Sequence, residues 1–375
     1  MAKFIISGGG TGGHIYPAIA IANALKRRLP DADVLFVGAE GRMEMEKVPA
    51  AGYPIVGLPV AGLRRKWTWK NALLPLKLLR SLHRAAQIVR TFRPDVVIGV
   101  GGYASGPTLW AAQRRGIPTL LQEQNSYAGL TNKLLARRAC RICVAYDGMQ
   151  RFFPQEKIRL TGNPVRFDRP ASPDERAAAA AFFGLRAATK TVLVVGGSLG
   201  ARTLNRAMTK ALPEIAADTT QWIWQTGAAA FPQAQAALTA AGNPPTVRVI
   251  DFIYRMDYAW AMADVVVSRA GAGAISELCV AQKACLFVPS PNVAEDHQTK
   301  NAQALVARGA ALLLSDDDAP TRLLPAVAAL LRDDAQREAL RRQAAALAKP
   351  NAARDIAEEI LALMNHPPPP LDNHE

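Results

Sequence analysis

The residues of this chain that could do chemistry lie in four glycine-rich turns, each directly after a short apolar run. Phe4-Ile5-Ile6-Ser7 leads into Gly8-Gly9-Gly10-Thr11-Gly12-Gly13-His14, and Val192-Leu193-Val194-Val195 into Gly196-Gly197-Ser198-Leu199-Gly200-Ala201-Arg202. Two further runs, from Val96 and from Val265, enter Gly101-Gly102-Tyr103-Ala104-Ser105-Gly106-Pro107 and Ser268-Arg269-Ala270-Gly271-Ala272. A continuous Val/Ile/Leu run reads as a buried parallel strand, and glycines after it let the backbone approach a ligand while the next helix aims free N–H groups at an anion. The chemistry indicated is nucleotide binding at the carboxyl ends of parallel strands. One such turn can serve chain reversal alone, but four together argue for a ligand. None ends in the Lys-Ser/Thr of a phosphate-binding P-loop, which disfavours ATP or GTP hydrolysis on that plan. A dinucleotide site expects an acid about 20 residues after the last glycine, and Glu40 comes somewhat late. A nicotinamide-dependent oxidoreductase stays as the second reading.

The elements that must position these turns alternate along the chain. In the first half, strands are predicted at Phe4 to Ser7, Val34 to Gly38, Ile55 to Val60, Val96 to Val100, Thr119 to Gln122 and Ile142 to Tyr146, with helices such as Pro17 to Leu29 and Thr131 to Arg138 between some of them. The alternation returns at Val192 to Val195, Trp222 to Gln225, Val247 to Ile250, Val265 to Ser268, Cys285 to Pro289 and Ala311 to Leu314. Such a pattern indicates α/β sheets with covered faces. Prolines 164, 170 and 173 cluster where the periodicity lapses. A first domain over 1–163 and a second over 164–349 follow, then a helix over 350–365 that packs back toward the first domain and a disordered proline-rich tail over 366–375. Ser172-Pro173-Asp174-Glu175 has the form of a capping box, opening an alanine-rich helix that Gly184 can close.

Composition narrows the setting. The 375 residues are half apolar, enough for two cores, and carry a formal charge of +14, which calls for an anionic partner. Cysteines 140, 143, 279 and 285 make no disulfide framework and fit a reduced, cytoplasmic compartment. Neither an export signal nor an apolar run of the roughly 20 residues needed to span a bilayer is visible.

Taken in order, the motifs resemble a known set. Gly9-Gly10-Thr11-Gly12-Gly13-His14, Gly101 through Pro107, Glu123-Gln124-Asn125, Gly162-Asn163-Pro164-Val165-Arg166, Gly196-Gly197-Ser198, Ser268 through Ala272, Ser276-Glu277 and His297-Gln298 through Asn301-Ala302 look like those of the MurG family of N-acetylglucosaminyltransferases. The match spans nearly the whole chain except the tail. It implies the GT-B architecture, two Rossmann-like parallel-sheet domains facing across a cleft. It also implies transfer of N-acetylglucosamine, with inversion, from UDP-N-acetylglucosamine to the 4-hydroxyl of the muramic acid in lipid I (undecaprenyl-pyrophosphoryl-MurNAc-pentapeptide), giving lipid II and UDP in peptidoglycan synthesis. Carried onto matching positions, it assigns Glu277 to the ribose hydroxyls, the Ile253 backbone to uracil, Ser198 and Arg166 to the diphosphate, and Gln298 and Asn125 to the sugar region. Thr11, Gly12 and Gly13 join the donor-binding set. His14 is the candidate base, near a helix N-terminus that disfavours imidazolium.

Two positions depart from the family pattern: Leu199 stands where glutamine is common, and Ala274 where threonine is common. No obligatory metal or other cofactor is expected, because Arg166 and the amides of residues 196–200 can stabilise departing UDP. Asp316-Asp317-Asp318 reads as a solvated turn rather than a metal site. From Arg64 to Arg93 there is no acidic residue, and basic groups alternate with Trp67, Trp69 and leucines. That mixture suits an anionic membrane surface, hence peripheral attachment at the cytoplasmic face, although Leu74, Leu78 and Leu82 could form a core-facing stripe instead. No nucleic-acid partner is expected, although a binding module built on the basic charge is a rival from another class. A GT-B epimerase acting on UDP-N-acetylglucosamine is the nearest rival in mechanism. Cys140-Arg141-Ile142-Cys143 lacks a second ligand pair and reads as structural.

Overall fold

The computed structural model describes residues 1–60, 74–165, 167, 169–197, 199–293 and 296–365. Arg166, Ser198, the 64–73 part of the basic segment and the 366–375 tail lie outside the described residues. The chain divides into two compact units, Met1–Arg166 with Asn351–Glu375, and Phe167–Pro350.

In the first unit β1 (Lys3–Ser7), α1 (Gly12–Arg28), β2 (Asp33–Ala39), α2 (Glu44–Ala50), β3 (Ile55–Leu58), α3 (Leu74–Phe92), β4 (Val96–Gly99), α4 (Ser105–Gln113), β5 (Thr119–Glu123), α5 (Leu130–Ala136), β6 (Arg141–Val144) and β7 (Ile158–Leu160) follow one another. The strands form one parallel sheet in the order β3-β2-β1-β4-β5-β6-β7, with Phe4 opposite Val34 on one side and Val96 on the other. Side chains alternate across the central strand. Phe4 and Ile6 pack with α1 residues Ile15, Ile21 and Leu25, whereas Ile5 packs with Ala85, Leu109 and Leu135 on the opposite face. Both faces are therefore covered, which is why these strands are apolar throughout.

Helix α1 opens at Gly12 and runs through Pro17, earlier than the sequence predicts. Two glycines at its start carry poor helix propensity and hide the first turn from a pattern reading. His14 consequently sits inside the helix rather than ahead of it. β7 was not anticipated, being three partly exposed residues. Among the described side chains of α3 the buried ones are Ser81, Ala85 and Val89, four apart, while Leu78 and Leu79 are 51% and 63% exposed. The stripe proposed through Leu78 is thus not the core face; the side chain of Leu74 lies outside the described residues.

The second unit runs α6 (Pro173–Phe183), β8 (Thr191–Val195), α7 (Arg202–Ala216), β9 (Gln221–Gln225), α8 (Phe231–Ala240), β10 (Val247–Ile250), α9 (Met256–Met262), β11 (Val265–Ser268), α10 (Ala272–Ala281), β12 (Ala284–Phe287), α11 (His297–Val306), β13 (Leu312–Leu313), α12 (Ala319–Arg332) and α13 (Asp334–Leu347). Its parallel sheet has the order β10-β9-β8-β11-β12-β13. The start of α6 is a complete capping box: Ser172 Oγ accepts from Glu175 N at 3.2 Å and Glu175 Oε2 accepts from Ser172 N at 2.7 Å, with Gly184 left-handed at the other end. The last helix, α14 (Ala352–Asn365), returns to the first unit, where Ile356, Ile360 and Leu363 join the α1 side of the core. Burying each such side chain is worth about 1.5–3 kcal/mol, and Arg28 pairs with Glu358 at 2.7 Å beside it.

Candidate active site

In each sheet the strand order reverses beside its first strand, between β1 and β4 and between β8 and β11. The four glycine-rich turns follow these four strands, so they form two pairs, each at a point where parallel sheets bind ligands. A sequence reading sees four similar turns; the topology sorts them into two sites.

In the first unit the turns after β1 and β4 touch backbone to backbone. Gly9 N donates to Gly101 O at 3.3 Å. Gly102 has φ +85°, and a Cβ there would overlap the Gly9 carbonyl, so both conformation and space require glycine. That carbonyl in turn fixes His14, whose Nδ1 lies 3.0 Å from Gly9 O and 3.2 Å from Thr11 Oγ1. A carbonyl can only accept, so the contact is a hydrogen bond when Nδ1 carries the proton, and the neutral ring then keeps its lone pair on Nε2. The Nε2 edge lies beside Gly101, where an added Cβ would stand 2.9 Å from it. Thr11, placed in the donor-binding set by the resemblance, is here the N-cap of α1 and a partner of the His14 ring.

The segment after β5 completes this half. Glu123 is buried, its Oε1 accepting from Asn125 N at 3.1 Å and Asn125 Nδ2 at 3.3 Å, its Oε2 from Gly129 N at 3.0 Å and Asn132 Nδ2 at 2.9 Å. Gln124 reaches back to Val100 O at 2.7 Å, and Gln122 donates to Asn163 Oδ1 at 2.9 Å. Asn125 is thereby held from behind by a carboxylate, in the same unit as His14.

In the second unit the 196–201 turn precedes α7, with Gly196 N donating to Gln225 Oε1 at 3.1 Å and Gly200 N to Gly197 O at 2.8 Å. Leu199 is 89% exposed there. Glu277 lies on α10, where its Oε2 accepts from the indole of buried Trp260 at 3.2 Å. Ile253 is buried in the loop after β10. Gln298, the second residue of α11, uses Oε1 to accept from Ser290 N at 2.9 Å, which ties the loop after β12 to this helix. Arg269 and Asp316 form an ion pair only 11% and 18% exposed, and Asp316 Oδ2 also accepts from Thr203 Oγ1 at 2.8 Å. The expectation that Asp316 belongs to a solvated turn is therefore corrected: it clamps the first turn of α7 to the turn after β11.

Residues 4–144 match the N-terminal domain of glycosyltransferase family 28 and residues 191–360 its C-terminal domain. The chain is 56% identical over 362 residues, 96% of its length and 95% of the relative's, to the UDP-N-acetylglucosamine–N-acetylmuramyl-(pentapeptide) pyrophosphoryl-undecaprenol N-acetylglucosamine transferase of Bacteroides fragilis. The protein of the same name from Porphyromonas gingivalis is 54% identical over 367 residues, covering 97% and 96% of the two chains. Acinetobacter baumannii MurG has a crystal structure that superposes with a TM-score of 0.76 at 30% identity, covering 96% of this chain and 99% of that one. The chain belongs to the MurG family.

Within this MurG-family chain the motif reading missed the side chains that hold the site from behind. Trp260, Asp316 and the buried acid Glu44 come from segments without catalytic pattern, Arg269 is the second residue of the glycine-rich turn after β11, and no spacing rule connects any of them to its partner. The four cysteines of this family member are free. Burial pushes the thiols of Cys143 and Cys279 up to about 12, which fits a structural part. Among the described residues no group of three His, Cys, Asp or Glu side chains could hold a metal ion, and no helix is long and apolar enough to cross a membrane.

Proposed function

We propose that this chain transfers N-acetylglucosamine from UDP-N-acetylglucosamine to the 4-hydroxyl of the muramic acid in lipid I, producing lipid II and UDP. The observation that carries this reading is the near-full-length identity of 56% to a transferase of that name. Two paired glycine turns at the switch points of two parallel sheets support it. The acceptor O4 attacks the anomeric carbon, the bond from that carbon to UDP oxygen breaks with inversion, and the O4 proton passes to His14 Nε2. His14 suits this part because the Gly9 carbonyl favours the tautomer whose lone pair is on Nε2. UDP leaves with the electron pair, stabilised by Arg166, by amides of residues 196–200 and by the N-terminus of α7, with no obligatory metal. Glu277 takes the ribose diol, Ser198 the diphosphate, the Ile253 backbone the uracil, and Gln298 and Asn125 the sugar. Gly12 and Gly13, in the first turn of α1, keep that end free of side chains.

The protein works at the cytoplasmic face of the membrane, attached peripherally through the Arg64 to Arg93 segment. Exposed Leu78 and Leu79 beside Lys77 and Arg80 support this, as do Leu130 and Leu134, 64% and 74% exposed on α5 of the same unit.

The test is UDP release from UDP-N-acetylglucosamine with and without lipid-linked muramyl pentapeptide, in chelator and in magnesium. Release should depend on the acceptor and persist in chelator. His14→Ala should lower turnover by about 10²–10⁴-fold with donor KM little changed. Release without acceptor dependence would point to hydrolysis or epimerisation and overturn the reading, and activity strictly restored by magnesium would overturn the metal-free mechanism.

A further inference from the structure

Glu44 is a fully buried carboxylate, 1% exposed, at the first position of α2. A buried acid without partners is costly, and this one has two backbone donors: Oε1 accepts from Ala39 N at 3.0 Å and Oε2 from Gly10 N at 3.0 Å. The surrounding chain makes room for it. A Cβ on Gly9, which has φ +149°, would overlap Glu44 Oε1, and a Cβ on Gly38 would stand 2.6 Å from Glu44 Cγ.

The second of these bonds has a particular partner. Gly10 N–H and the Gly9 carbonyl are the two ends of one peptide group, and the Gly9 carbonyl is the acceptor for His14 Nδ1. Glu44 therefore polarises the same peptide that holds the imidazole: drawing on its N–H makes its oxygen a stronger acceptor. We propose that Glu44 is a positioning residue for His14, acting through the Gly9–Gly10 peptide to fix the Nδ1–H tautomer and strengthen Nε2 as a base. The arrangement performs the work of a carboxylate bonded directly to a catalytic histidine, with one peptide unit interposed. Other ionisable side chains on the neighbouring segments are Tyr16 and, at the far end, Lys26, Arg27 and Arg28 on α1, Glu40 and Arg42 between β2 and α2, Glu46 and Lys47 on α2, Tyr103 after β4 and Glu123 on β5. Glu46 pairs with Lys47, and Glu123 is committed to Asn125, Gly129 and Asn132. Glu44 is the acid bonded to the Gly9–Gly10 peptide.

The inference rests on the base role proposed for His14, and a double-mutant cycle separates the two. Acceptor-dependent UDP release is measured for wild type, Glu44→Gln, His14→Ala and the double variant, with folding checked by thermal unfolding. E44Q should lower kcat about 10- to 100-fold with donor KM changed less than about 3-fold, and should shift the acid limb of the kcat profile to lower pH. In the His14→Ala background it should cost less than about 2-fold more. Normal kcat in E44Q, an unmoved acid limb, or a full additional loss in the double variant would overturn the inference and leave the proposed function intact. Absence of acceptor-dependent release in wild type would instead overturn the function. A long-range ¹H–¹⁵N spectrum of the resting wild-type enzyme applies even if E44Q does not fold. It should show the Nδ1–H tautomer of His14, and an Nε2–H ring would overturn the inference.

Discussion

His14 and Glu277, the two side chains with the sharpest proposed roles, are each held by a neighbour in their own unit: the Gly9 carbonyl of the preceding turn for His14, the Trp260 indole of α9 for Glu277. Preorganisation of this kind saves reorganisation at the moment of reaction. A different residue illustrates the opposite balance. Lys283, just before β12, lies at the amino end of the second sheet, beside Asp264, Arg176 and Arg341, and burial pulls its ammonium down to about 8, with Asp264 opposing the shift. Below pH 8 both folded and unfolded chains carry the proton, and the folded one bears the cost of burying it. Between about 8 and 10.5 the unfolded chain binds more protons, so stability rises with pH across that window. Lys283→Met should therefore stabilise the second unit by roughly 2 kcal/mol near neutral pH. The gain should fade as pH rises through the window, which urea unfolding at about pH 7 and about pH 10 would read.

At the scale of elements, the site depends on close contact between loops that no single strand or helix encodes. Gly102 is one such point, because its left-handed backbone brings the turn after β4 against the Gly9 carbonyl. Gly102→Ala should cost about 1–2 kcal/mol from conformation alone and displace the carbonyl that orients His14. A misplacement near 1 Å can lower turnover about 10²-fold. Steady-state kinetics should show that loss in kcat with donor KM nearly constant, and an unchanged kcat would mean that the two turns do not transmit position to the histidine. Elements whose signals are local were readable beforehand: Ser172 and Glu175 form the capping box that their spacing implied. The early start of α1 was not, since glycine at its first two positions contradicts the helix that tertiary packing imposes.

For the molecule as a whole, the charge of +14 and the exposed leucines of α3 and α5 bear on the same prediction. Basic groups near an anionic surface are worth about 1 kcal/mol each and fade within a Debye length, whereas buried leucine side chains are insensitive to salt. Sedimentation with phosphatidylglycerol vesicles should be strong at low salt and fall at about 0.5 M, and substituting Leu78 and Leu79 together by glutamate should weaken it at least about 10-fold. Equal binding to zwitterionic vesicles, or no effect of the two leucines, would reject attachment through this segment.

By itself the sequence determined the two-sheet α/β plan, the place of the four glycine turns after their strands and the family, because buried parallel strands and phosphate-type turns are written in contiguous residues. Gly9 to His14 and Gly196 to Ser198 were legible as candidate site segments for that reason. Only the tertiary structure decided which turns pair at which switch point, that Asp316 clamps Arg269 and Thr203 rather than facing solvent, and that Glu44 lies behind the peptide to which His14 is bonded. Those relations join residues about 30 to 110 positions apart. Their energy comes from burial, which removes water as the alternative partner, and burial is a property of the folded chain, not of any stretch of it.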